Sequence, residues 1–153
     1  MRLSIFVLIL FFVCIHSGKA QDKNLSKLLS DYKSQQTDSA QIQTLIDLSS
    51  MYIQLNLDSS DYYRQFLENI SDSLNHKMGK SHSLILRSLY LIHKRRLPEA
   101  ETAAQESLLL AKETGDHDLL GKVYNILAMA AHHLNNSQQT TAYFLKTLEH
   151  AEL

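Results

Sequence analysis

A self-alignment that sets position 84 on position 124 narrows the chain's folding options more than any other feature. Ser88 then falls on Ala128, Leu91 on Ala131 and Leu84 on Tyr124. Leu108 falls on Leu148 and Ala111 on Ala151, small on small and apolar on apolar, with Ala104 on Phe144 as the exception in size. A further step of 40 sets Leu74 and Asn75 beside Thr114 and Gly115. Asn and Gly are the two residues that best tolerate the left-handed turn ending a helix. Self-similarity with a period of roughly 20–50 residues marks stacked repeats.

The spacing inside a unit is helical. Leu119, Leu120, Val123, Ile126, Leu127, Ala130, Ala131 and Leu134 follow a 3.6-residue period and leave Lys122, Asn125 and His133 off the stripe. Four Gly and one Pro in 153 residues leave few turns that need positive φ, which favours long helices over many short strands. Seven helical segments are predicted. The first lies near 23–33 and the second at 39–55. A third, with Asp58 or Ser59 as N-cap, ends near Leu74. The rest are expected at 81–95, 98–113, 117–134 and 138–152. Gly115 is expected to end one helix and Asp116 to cap the next, and Pro98 fits a first helical position. The run LILRSLYLI over 84–92 suits a buried strand by composition, but its length and its place between two helices favour a helix. No Gly-rich or Ser-rich linker divides the chain, so one domain is expected.

Ahead of that domain, Arg2 precedes eleven apolar residues over 5–15 and small residues at Gly18 and Ala20. This is the layout of a secretory signal peptide over residues 1–20, too short for an ordinary membrane-spanning helix. An uncleaved anchor is the alternative, and lipidation at Cys14 is disfavoured because Phe12 and Val13 precede it. Cleavage after Ala20 would remove Arg2, Lys19 and Cys14, leaving 13 basic and 16 acidic residues, a net charge of −3, and no disulfide in an extracytoplasmic domain over 21–153. The balance of charge argues against a nucleic-acid footprint.

AKETGD over 111–116, followed by GKVYNILA over 121–128, resembles the tetratricopeptide repeat family in its longer, 40-residue subclass. Tyr124, Leu127, Ala128 and Phe144 fit that family's pattern, as do Ser88 and Ala100 one repeat earlier. Ala131, Thr140, Thr147, Glu152, Arg87 and Ala104 depart from it, and the first repeat, near 40–74, matches weakly with a register open by one residue. A HEAT-type hairpin repeat is the alternative. The resemblance implies an all-α, right-handed superhelical stack of antiparallel helix hairpins, about three repeats long. Each hairpin would bury its apolar face only against its neighbours. The first helix of each hairpin would line a concave groove that binds protein or peptide. The groove positions implied are Lys122, Asn125, Met129, His132 and His133, and one repeat earlier His82, Ile85, Leu89, Ile92 and His93.

Little else carries chemistry. His132 and His133 are adjacent, about 100° apart on a helix, and no HExxH or paired-cysteine motif exists. His117 and His150 have no partner fixed by the sequence. No GxSxG elbow, SxxK pair or Gly-rich phosphate loop appears, so neither catalysis, a metal nor a cofactor is expected. A small metal-dependent enzyme using His132, His133 and His150 is the alternative from a different class. The HKRR run over 93–96 suits the negative end of a helix dipole, with an acidic partner or anionic lipid surface as the alternative. Tyr143, Leu145 and Leu148 lie on the seventh segment with nothing after them to cover them. That implies self-association, or an extracytoplasmic sensor part of a longer, membrane-anchored signalling protein such as a histidine kinase or transcriptional regulator.

Overall fold

The computed structural model describes residues 25–32, 34 and 37–152. The expected signal peptide lies outside these residues. All regular structure among the described residues is helical: α1 over 25–32, α2 (Asp38–Leu55), α3 (Leu57–Ser73), α4 (Lys77–His93), α5 (Leu97–Thr114), α6 (His117–His133) and α7 (Ser137–Ala151). The ambiguous run over 84–92 lies inside α4. Among the described residues no helix is long and apolar enough to cross a membrane.

Local chemistry sets the boundaries. Gly115 ends α5 in the left-handed conformation, φ 69°, and the Asp116 carboxylate caps α6 by accepting from the Leu119 N–H at 3.0 Å. Three other boundaries differ from expectation. The α3 cap is Asn56, whose side-chain oxygen accepts from the Ser59 N–H at 2.9 Å, so Asp58 sits inside the first turn. There its negative charge complements the helix dipole. Helix α4 starts at Lys77 rather than near 81, because His76 Nδ1 accepts from the Gly79 N–H at 3.0 Å. Pro98 is the second residue of α5, after Leu97, where a missing N–H still leaves no helical bond unmade.

Helices α2 and α3, α4 and α5, and α6 and α7 pack as consecutive pairs, joined through α3 against α4 and α5 against α6. On one side α4 also touches both α2 and α6, whereas α5 comes within 8 Å (Cα–Cα) of neither α3 nor α7. The even-numbered helices therefore form a closer inner layer and the odd-numbered ones a more widely spaced outer layer.

The core is spread along these packed pairs. One cluster joins Ile42, Leu45 and Ile46 of α2 to Leu67 and Leu86. A second seals α4, α5 and α6 through Ile85, Ala104, Leu119, Val123 and Leu127. A third surrounds Leu91, Ile92, Ala100 and Ala130. Ala100, Ala104 and Ala128 are fully buried, and Ala131 is 1% exposed, as their small size allows where helices approach closely. Paired serines let backbones approach as well. Ser49 and Ser60 each donate to the other's carbonyl at 2.8 Å. Ser81 and Ser107 do likewise at 3.2 and 2.9 Å, and Ser88 donates to the Ala100 carbonyl at 2.7 Å.

Candidate functional site

A cavity of about 460 Å³ opens on the inner layer, where α2, α4 and α6 run side by side. Each helix contributes one face at helical spacing. Helix α2 supplies Gln43, Ile46, Asp47 and Ser50; α4 supplies Met78, His82, Ile85, Leu86 and Leu89; α6 supplies Asp118, Leu119, Lys122, Asn125 and Ile126. Asp116, the α6 cap, completes the rim. The floor is apolar, the rim polar.

These positions give α2 a register against α4. Positions 43, 46, 47 and 50 stand where 82, 85, 86 and 89 stand on α4, a step of 39. From α4 to α6 the step is 40, carrying 82, 85 and 86 onto 122, 125 and 126. The buried hydroxyls agree: Ser49 reaches Ser60 as Ser88 reaches Ala100.

The rim is acid-rich. Asp47, Asp116 and Asp118 face it against Lys122, and Lys122 Nζ is already paired with Asp118 at 2.6 Å. Gln43 donates to Asp47 at 3.0 Å. His82 is held neutral, its pKa pushed down to about 4 by burial first and by the Lys122 charge second, against the opposing pull of Asp116 and Asp118. A neutral imidazole in such a place offers one donor and one acceptor.

Of the residues singled out in the sequence, Lys122, Asn125, His82, Ile85 and Leu89 come together in this groove. Met129 is half-buried and packs against two core clusters. Ile92 is buried in the core. His132, one 40-residue step beyond Ile92, is exposed and lines a separate cavity of about 220 Å³ with Thr140 and Thr141 of α7. His133 is half-buried at the end of α6, its ring 5.8 Å from that of His132, and His93 is exposed at the end of α4. The four α2 residues escape a reading of the sequence, because the segment near 40–74 matches the later ones too weakly to fix its register.

The histidines pair differently from the alternative metal reading. His150 meets His117, not His132 or His133: their Nδ1 atoms lie 3.0 Å apart. Among the described residues no group of three or more His, Cys, Asp or Glu side chains is placed to hold a metal ion.

No family model matches the chain, and no curated protein or solved structure matches it either.

Proposed function

We propose that this chain is a non-enzymatic, exported scaffold of the tetratricopeptide-like kind, its hairpins stacked in a right-handed superhelix and its inner groove binding a protein segment or peptide. The observation that carries this reading is the groove, an apolar floor shared by three inner helices beneath a rim of three carboxylates and one paired lysine. Ile46, Ile85, Leu86, Leu89 and Ile126 can take up apolar side chains. Asp47 and Asp116 make no ion pair with lysine or arginine among the described residues, so the rim favours a cationic group on the ligand. The best-matched ligand is a peptide with one or two apolar side chains next to Lys or Arg.

Fluorescence anisotropy tests this with labelled peptides that keep the apolar residues and vary the flanking charge. The basic peptide should bind more tightly than its acidic counterpart, and the preference should shrink with salt. Leu89→Glu should abolish binding and Asp47→Lys should reverse the charge preference. Equal binding of both peptides, or binding indifferent to both substitutions, would overturn the proposal.

A further inference from the structure

The α6–α7 hairpin brings two histidines that are distant in sequence into one place. His117 is the first residue of α6, and His150 lies in the last turn of α7. Because the helices are antiparallel, these ends meet. The Nδ1 atoms are 3.0 Å apart and the ring planes are inclined by 39°. Both rings border a cavity of about 520 Å³ also lined by Asp118, Gly121, Asn125 and Thr147.

We infer that His117 and His150 form a two-histidine site for a divalent late first-row metal ion, copper(II) or nickel(II), which clips the end of α7 to the start of α6. Geometry carries this. At metal–nitrogen distances of about 2.0–2.1 Å, ligands at right angles place their nitrogens about 2.9 Å apart, and tetrahedral ligands about 3.4 Å apart. The observed separation matches the right-angled arrangement, which tetragonal copper(II) and nickel(II) prefer. The His150 ring is already held in place, stacked on Tyr124 at 5.5 Å with the planes 8° apart. Tyr124 in turn stacks on Tyr143 of α7, so the ligand's support spans both helices. Both rings border an open cavity, so water can fill the remaining coordination positions. The Asp118 carboxylate is engaged at 2.6 Å by Lys122, which also lines this cavity, so the pair leaves the two imidazoles as the ligands the site offers. Two protein ligands make this an open, exchangeable site.

A hydrogen bond between two neutral imidazoles gives the same separation, and metal titration separates the two cases. Copper(II) is added to the full chain and followed by electron paramagnetic resonance and by thermal melting. The expected result is one equivalent bound with two-nitrogen hyperfine structure, and a rise in Tm by preferential binding to the folded state. His117→Asn and His150→Asn should each weaken binding roughly tenfold or more and cancel the rise. The double variant His132→Asn/His133→Asn should keep both signals. A one-nitrogen or purely aqueous spectrum, a signal lost with His132 and His133 instead, or a Tm rise unchanged by both single variants would overturn the site and leave the histidine pair a hydrogen bond only. Asp118, Lys122 and Asn125 border both cavities, but His117 and His150 do not line the inner groove, so substituting them leaves the peptide-binding reading standing or falling on its own.

Discussion

Ser49 and Ser60 satisfy each other across α2 and α3, whereas the hydroxyls of Ser71 and Ser83 are buried without a hydrogen-bond partner among the described residues. The two kinds of serine should respond oppositely to truncation. Ser60→Ala removes a made bond and should cost about 1 kcal/mol, while Ser71→Ala removes an unpaired buried hydroxyl and should be neutral or stabilising by urea denaturation. Ser71 also explains Gly79. A Cβ at position 79 would lie 2.2 Å from Ser71 Oγ and 3.1 Å from its Cβ. Gly79→Ala should therefore destabilise by roughly 1–3 kcal/mol, and Ser71→Gly in the same chain should relieve part of it. His82 gives the fold a pH dependence of known sign. Its folded pKa, about 4, lies below the ordinary value of 6.5, so between these the unfolded chain binds more protons. Its contribution is full above about pH 6.5 and is lost progressively towards pH 4, up to about 3 kcal/mol. Urea midpoints measured across that range should fall with pH, and His82→Gln should flatten the slope. None of this is legible in the sequence, because a serine's partner and a histidine's burial both depend on which helix lies opposite. The cap at Asp116 is legible, since its chemistry acts only three residues away.

The connections show a regularity finer than the step between hairpins. Asn75, Arg95, Gly115 and Asn135 all take positive φ, at 50°, 60°, 69° and 58°, so a left-handed residue follows α3, α4, α5 and α6 at intervals of 20. At three of them the next N–H closes the helix end: His76 to the Ser71 carbonyl at 2.8 Å, Arg96 to Leu91 at 2.9 Å and Asn136 to Ala131 at 2.9 Å. At the fourth, the Asp116 N–H donates to Thr114 Oγ1 at 3.3 Å. The α2–α3 connection breaks the series, with Asn56 extended at φ −156° and acting as the end of one helix and cap of the next. Gly115 and Asn75 announce their turns by residue type. Arg95 does not, because an arginine has no intrinsic preference for that conformation and adopts it where the neighbouring helices require it. Arg95→Gly should therefore stabilise the chain by about 0.5–1 kcal/mol, and Gly115→Ala should destabilise it by a similar amount or more, both read from thermal melting. An unchanged Tm in both would mean that these turns relax at little cost.

Across the whole molecule, the inner layer is easier to foresee than its ends. Lys122 and Asn125 follow from the resemblance to tetratricopeptide repeats, and the self-alignment carries Lys122 back to His82, since the step from α4 to α6 is a uniform 40. The α2 contribution is hidden by a step of 39, which turns a helix by about 100° and moves every apolar position off its counterpart. The resemblance also puts His132 in the groove, with Ile92 as its counterpart one repeat earlier, yet Ile92 is buried in the core. The same logic describes the outer face of α7. Ala104 is fully buried between α5 and its neighbours, but its counterpart Phe144 is 43% exposed, and Leu148 is 60% exposed where Leu108 packs against the core. Leu145 adds a further 61% exposed side chain, and α7 itself has no buried residue. Phe144 and Leu148 lie one helical turn apart on this face, with Leu145 beside Phe144. We expect the chain to self-associate through this face in a concentration-dependent way, visible by sedimentation velocity at about 0.1 mM and above, the range of weak contacts. Phe144→Lys combined with Leu148→Lys should shift the population to monomer while lowering Tm little, because neither side chain is needed to seal the core. A wild-type chain that stays monomeric throughout that range would remove α7 as the contact. A variant that loses its helical signal would instead show that Phe144 and Leu148 hold α7 to α6.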